Sequence, residues 1–345
     1  MPFSNGPDPI HFLERMDLES FLTNDLTPAL VQEVEGFLDS QDTAHPFQFP
    51  QWSDPGSKLM LFREGGNLRW TAAFGVYRPL GWKVPWIRAA AANRGPVCDD
   101  PRLWAAAAEK AAGRMRRDRL TYVEVSPDWI QRDERSQQSF LKDSEWECSG
   151  SQRWSLRLDL TIAEDRIFAN FSKNSRYEVR HAERLGATVN AASKDAEIEE
   201  FLVVYQGMAA LKGFPADQIE RVRRQVQWLV HAQSRGALLL ARAKDTVLGG
   251  AVIGRAGLRC WYIWGATDRK QSINVGHILQ WNAIRWAKSH GCTQYDFGGY
   301  TPGATSGPAW FKAGFGGTPV EFVAPHRRVI RPVSYRVFSF LSNVR

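Results

Sequence analysis

Cys292-Thr293-Gln294-Tyr295-Asp296-Phe297, closed by Gly298-Gly299, has a counterpart 172 positions earlier in Leu120-Thr121-Tyr122-Val123-Glu124-Val125. Both runs are rich in aromatic and apolar residues and read as strands. Each follows a helical pattern. Asp100-Pro101 starts one helix, with proline at the first helical position, and it runs to about Arg117. Val275, Ile278, Leu279, Ala283, Trp286 and Ala287 give the other a 3.6-residue period, and Gly291 ends it. Meandering strand patterns precede both helices. Two similar halves in 345 residues imply a duplicated mixed α/β fold, since this length suits two ordinary domains.

The rest of the pattern fills in the halves. A helix is expected near Pro28–Leu38, then strands over Lys58–Arg63, Leu68–Tyr77 and Trp82–Ala89, and a helix over Arg132–Lys142. The second half opens with strand Trp154–Leu160. Thr161-Ile162-Ala163-Glu164 has the form of a capping box. A helical piece over Ser175–Leu185 stops at Gly186, and helices over Ala196–Leu211 and Pro215–Gln233 follow. Strands then read over Ala237–Ala243, Thr246–Ile253 and Arg259–Ala266. The domain boundaries implied are 1–150, with 318–345 returning to it, and 151–317.

Composition excludes several classes. Hydrophobic residues make up 43% and charged residues 23%, as in ordinary globular proteins. No apolar run reaches the ~20 residues that span a bilayer, and Met1–Pro9 lacks a signal-peptide pattern, so a cytoplasmic protein is expected. The four cysteines form no CxxC pair and the histidines no HExxH, so no metal site is expected. A net charge of +7 suits an anionic partner such as a tRNA, a nucleotide-linked substrate or an acidic membrane surface. The tail Val333–Leu341 mixes aromatics with arginine and suits docking on the first domain or resting on a membrane.

Three places carry chemistry. In Trp310-Phe311-Lys312-Ala313-Gly314-Phe315-Gly316 one lysine lies in an aromatic loop, the residue type that holds a developing oxyanion. Lys173, Arg176, Arg180 and Arg184 recur every three or four residues and share a helix face, either solvated or gripping a phosphate. Arg94-Gly95-Pro96-Val97-Cys98-Asp99 is a turn with a carboxylate at a helix start. In acetyl-CoA-dependent acetyltransferases the Arg269–Gly276 junction is glycine-rich, so that backbone N–H groups grip a pyrophosphate. Here one glycine remains, which counts against acetyl-CoA as the donor.

Together, Arg94–Val97, Asn174–Ala182, Tyr295–Gly299 and Phe311–Gly316 resemble the Fem-type aminoacyltransferases, the non-ribosomal peptidyl transferases that build peptidoglycan cross-bridges. The resemblance spans about Pro46 to Phe322. It implies two tandem GNAT-like acyltransferase domains of α/β type with mixed sheets, in the short-arm form without a coiled coil. It implies transfer of an amino acid from aminoacyl-tRNA to an amine of a peptidoglycan precursor, nucleotide- or lipid-linked, with no cofactor; the sequence leaves the oligomeric state open, with a monomer favoured. Carried over by motif, Lys312 would stabilise the tetrahedral intermediate, Phe311 would shape its pocket and Asp99 would sit near the acceptor amine. Arg176 or Arg180 would hold the diphosphate, with Trp52 and Lys58 in the phosphate region at a spacing that departs from the pattern. Tyr262 and Tyr295 complete the substrate-contacting set. Asp99, Asp296 or the tRNA ribose hydroxyl would take the amine's proton. The rival readings are an N-acyltransferase using acyl-CoA or another acceptor, and a non-catalytic nucleic-acid-binding protein.

Overall fold

The computed structural model of the protein describes residues 16–130, 146–151, 153–213, 217–232, 234–268 and 273–343. The helix expected over Arg132–Lys142 and the Arg269–Ser272 stretch lie outside the described residues. The chain divides into two compact units, Met1–Gln152 with Phe322–Arg345, and Arg153–Glu321.

The first unit contains β1 (Met16–Leu22), α1 (Pro28–Asp39), β2 (Lys58–Glu64), β3 (Asn67–Tyr77), β4 (Ala89–Asn93), β5 (Val97–Cys98), α2 (Pro101–Arg117), β6 (Tyr122–Ser126) and β7 (Glu147–Cys148). The second follows with β8 (Arg153–Asp159), α3 (Glu164–Ala169), α4 (Lys173–Arg184), β9 (Ala187–Ala191), α5 (Asp195–Lys212), α6 (Asp217–His231), β10 (Gly236–Ala243), β11 (Thr246–Ala256), β12 (Arg259–Thr267), α7 (Gly276–Ser289), β13 (Gln294–Gly299), α8 (Gly307–Ala313) and β14 (Thr318–Phe322). The chain then returns to the first unit with β15 (His326–Val329) and α9 (Pro332–Asn343).

The sheet of the first unit runs β1-β2-β3-β4-β6-β15-β7, with β5 on β3. Its parallel step, β4 on β6, is paired throughout, from Ala89↔Tyr122 to Asn93↔Ser126. Tyr77, Ala89, Tyr122 and Val329 fall on one row across four strands. Phe62, Trp70, Phe74 and Val123 pack against Ala107, Ala111 and Met115 of α2 to form the core. Gln48, in a single helical turn before β2, is wholly buried. Its amide donates to the Asn93 carbonyl at 2.7 Å and accepts from the Ala73 N–H at 3.0 Å. A side chain at Gly95 would collide with it. One glutamine thus satisfies backbone groups of two strands.

The sheet of the second unit runs β14-β8-β13-β12-β11-β10-β9. Its parallel step, β12 on β13, is paired only over Arg259↔Gln294, Cys260↔Tyr295 and Trp261↔Asp296. Beyond that point Ile263 is an extra residue in β12, because Ile253 faces Tyr262 while Val252 faces Trp264. Such a bulge bends a strand and ends pairing. On the other strand Gly298 adopts φ 69°, which a side chain would oppose. The apolar stripe of α7 closes this sheet, with Ile278, Leu279, Ala283 and Ala287 all buried.

Several expectations are corrected. No strand covers Trp82–Ala89: Gly81–Lys83 is a single 3-10 turn, Pro85 has no N–H to give a ladder, and β4 starts at Ala89. Thr161 caps no helix, because its hydroxyl and N–H both bind the Asp159 carboxylate, at 2.7 and 2.8 Å. The second helical piece starts two residues earlier than expected, since Ser172 caps it by accepting from the Ser175 N–H at 3.1 Å. Lys312 sits on the short helix α8 rather than in a loop.

Candidate functional site

The site grows from the end of β13 that no longer pairs with β12. Asp296 is 1% exposed, and its carboxylate accepts from the Ser155 hydroxyl, from Arg157 Nε at 2.9 Å and from the Gly298 N–H at 2.8 Å. A buried charge with three donors and a guanidinium partner is compensated; removal of one partner costs ~3–5 kcal/mol. The network anchors the turn at Gly298, and the turn places the Gly299 carbonyl where α8 can reach it.

Lys312, in the last turn of α8, donates from Nζ to the Gly299 carbonyl at 2.6 Å. Burial pushes its ammonium below the usual lysine range, and the Asp296 carboxylate opposes that shift. A cation held in this way has shed part of its hydration and acts strongly on charge that develops beside it.

Phe311, next in sequence, lines a pocket of about 210 Å³ with Ser172, Asn174, Ser175, His277 and Trp310. Ser172–Ser175 start α4, and His277 sits in the first turn of α7. Phe311 packs edge-on to His277, ring centroids 4.8 Å apart, and to the buried Phe315 at 5.2 Å. Gly314 lets α8 approach α4 closely; a Cβ there would strike the Ser175 hydroxyl. His277 forms part of this wall. Its Nδ1 is buried with no hydrogen-bond partner, and burial pushes its pKa below the usual histidine value, with Glu178 opposing. Only the fold could single it out from the other histidines.

The remaining sequence candidates fall elsewhere. Arg176 turns back to donate to the carbonyls of Ala169, at 2.8 Å, and Phe171, closing the end of α3. Arg180 is exposed, with its guanidinium 5.3 Å from the centroid of the Phe168 ring. The two arginines therefore share the α3 side of α4, whereas its first turn faces the pocket. Tyr295 is a correction: it is fully buried, and its hydroxyl donates to Gln280 at 2.9 Å, so it is a core residue rather than a substrate contact. Tyr262 packs on the same core, its ring folded over Gly265. Asp99, Trp52 and Lys58 belong to the first unit. Asp99 is ion-paired with Arg69, Lys58 with Asp118, and Trp52 is buried against Phe47, with centroids 5.2 Å apart. Asp296, a candidate base, is buried in its ion pair with Arg157.

Residues 169–312 match the family model of the acetyltransferase (GNAT) domain. That stretch runs from the end of α3 to Lys312 and takes in the pocket residues Ser172, Asn174, Ser175, His277, Trp310 and Phe311. No curated protein matches the sequence. Among solved structures the chain is similar to FemX, at 15% identity over 92% of this chain and 99% of that one, with a TM-score of 0.77. It is also similar to a tandem GNAT protein from the clavulanic acid biosynthesis pathway, at 11% identity over 91% and 98% with a TM-score of 0.56. A third similar structure is L-PGS from Bacillus licheniformis, at 12% identity over 91% and 97% with a TM-score of 0.57. The chain thus has a two-domain GNAT-like fold, its second unit carries the stretch that matches the GNAT model, and the activity class these findings support is acyl transfer.

Proposed function

We propose that the protein moves an amino acid from aminoacyl-tRNA to an amine of a peptidoglycan precursor stem peptide. The observation that carries this reading is the partly desolvated Lys312 ammonium, held on the Gly299 carbonyl and next in sequence to Phe311 of the pocket wall. The similarity to FemX across nearly the whole chain supports it. An ammonium has three N–H donors, and Gly299 takes one. The other two can meet the oxygen of an ester carbonyl as it becomes an oxyanion.

The reaction needs no covalent enzyme intermediate, because the donor ester is already activated. The acceptor amine attacks the ester carbon, a C–N bond forms, the C–O bond to the tRNA ribose breaks, and the amine's proton leaves with the ribose oxygen. Oxyanion stabilisation by one donor supplies ~2.7–4 kcal/mol. Positioning of the two substrates supplies ~7–11 kcal/mol.

The test is transfer of a radiolabelled amino acid from charged tRNA to a nucleotide-linked and a lipid-linked precursor. Label in either product supports the reading, and the pair distinguishes the acceptors. Transfer undiminished in Lys312→Met would reject the role given to Lys312. A second reading, N-acylation from acyl-CoA, is favoured by one observation: residues 169–312 match the acetyltransferase (GNAT) family model. Calorimetric titration with acetyl-CoA separates the two. Saturable binding favours the second reading.

A further inference from the structure

One end of the first unit's sheet carries a surface that the acyl-transfer reading does not use. The row Tyr77, Ala89, Tyr122, Val329 marks that end, so the 78–88 connection and the segment from Ile330 through α9 leave the sheet side by side. Side chains tie them together: the Tyr77 and Tyr122 hydroxyls lie 3.3 Å apart, and the Tyr122 ring packs on Tyr335 at 5.7 Å and Phe338 at 5.2 Å.

The outward residues have the wrong polarity for water. Trp82 is 78% exposed and Trp86 59%, on a connection whose Ile87 and Leu80 are buried. On α9, Tyr335 and Phe338 face the sheet, while Val333, Val337 and Phe340, at spacings of four and three, line the opposite face. Val333 is 77% exposed and Phe340 69%. A helix that only capped the sheet would show water a polar outer face.

The charges on these two segments have one sign, and the nearby Glu124 is paired with Arg327. The 78–88 connection carries Arg78, Lys83 and Arg88 and no acid, and Arg331–Asn343 carries Arg331 and Arg336 and no acid. Arg78 lies over the Trp82 ring at 3.9 Å, so its cation is held beside the indole. Exposed tryptophans, an outward apolar helix stripe and basic residues without acids are what seats a protein in the headgroup layer of an anionic bilayer.

We infer that this face of the first unit docks on anionic phospholipid membrane, with Trp82, Trp86, Val333, Val337 and Phe340 inserted and Arg78, Lys83 and Arg336 on the headgroups. The inference stands apart from the acyl-transfer reading, because it uses no residue of the pocket. Among the described residues no helix is long and apolar enough to cross a bilayer, so the contact is peripheral.

The test is co-sedimentation of the full chain with vesicles of phosphatidylcholine alone and of phosphatidylcholine with phosphatidylglycerol. The expected result is binding to the mixed vesicles, reversed by salt, with a blue shift in tryptophan emission. Trp82→Ala/Trp86→Ala should weaken binding about tenfold. Lys83→Glu/Arg336→Glu should weaken it at least about tenfold, at ~1 kcal/mol per basic residue near the surface. Both variants alter exposed positions and should keep the wild-type circular dichroism and melting temperature. Failure to bind mixed vesicles, or binding that both variants retain, overturns the inference. So does a dimer in sedimentation velocity that the tryptophan variant converts to monomer, since the face would then belong to a second copy of the chain.

Discussion

Both units contain a parallel strand step in a mixed sheet, and they treat it in opposite ways. In the first unit β4 and β6 are paired end to end, and Gln48 fills the space beside Asn93 with a side chain bonded to both neighbours. In the second unit pairing stops after Trp261↔Asp296, a bulge and a left-handed glycine turn the strands, and Lys312 and a pocket occupy the neighbourhood. A repeated architecture has become a closed scaffold in one copy and an open site in the other. The difference lies in a few side chains rather than in the order of elements. A plug that satisfies the Asn93 carbonyl and the Ala73 N–H stabilises, whereas a carbonyl that holds a partly desolvated cation leaves donors for a substrate.

The sharpest way to break this contrast is to remove the cation. Lys312→Ala should lower the transfer rate by ~10²–10³-fold with little change in melting temperature, because the lost interaction belongs to the transition state. Steady-state kinetics beside calorimetry checks both halves. An equal loss of stability would mean that Lys312 is structural.

Gln48→Leu should do the reverse. It strands the Asn93 carbonyl and the Ala73 N–H and should cost about 1–3 kcal/mol in chemical denaturation. Turnover per folded molecule should stay at the wild-type value. A loss of turnover in the folded fraction would show that the closed unit is part of the site.

The alkaline limb of the rate profile provides a finer test. Burial lowers the Lys312 pKa from 10.5, so its proton, and activity with it, should be lost at a pH below 10.5. Lys312→Arg, which stays protonated, should remove that limb from the accessible range. The smallest effect concerns His277, whose folded pKa is depressed below 6.5. As pH falls from 6.5 toward the depressed value, the unfolded chain binds a proton that the folded chain refuses, so stability falls by up to about 1.4 kcal/mol per pH unit. His277→Gln should flatten that slope in urea melts, and an unchanged slope would place the acid sensitivity elsewhere.

Legibility in the sequence followed the range of the forces. α7 could be read because its buried stripe repeats every 3.6 residues. Lys312 could be singled out because an aromatic lysine loop beside a glycine turn is local information. Gln48 could not, since its two bonds reach 25 and 45 residues along the chain. β15 was missed because His326-Arg327-Arg328-Val329 lacks the alternation of apolar and polar residues that marks a strand. It becomes a strand through Arg327 on Glu124 and Arg328 on Glu109, more than 200 positions away. Tyr295 was misassigned for a related reason. Its neighbours gave it the look of a site residue, and only the fold shows that it points at Gln280 in the core. Arg176 likewise has the spacing of an anion fork but spends its guanidinium on carbonyls seven and five residues back.

The place of β15, between β6 and β7, carries a consequence for biosynthesis. As the chain leaves the ribosome, Arg153–Glu321 emerges as one uninterrupted stretch holding every strand of its own sheet but the last residue of β14. The earlier-made unit must wait, because the strand that fills the gap beside β6 is made only after all of the later unit. A pulse-chase protease assay on stalled nascent chains should therefore find the later-made half resistant first, with the amino-terminal half following once residues past Val329 are free.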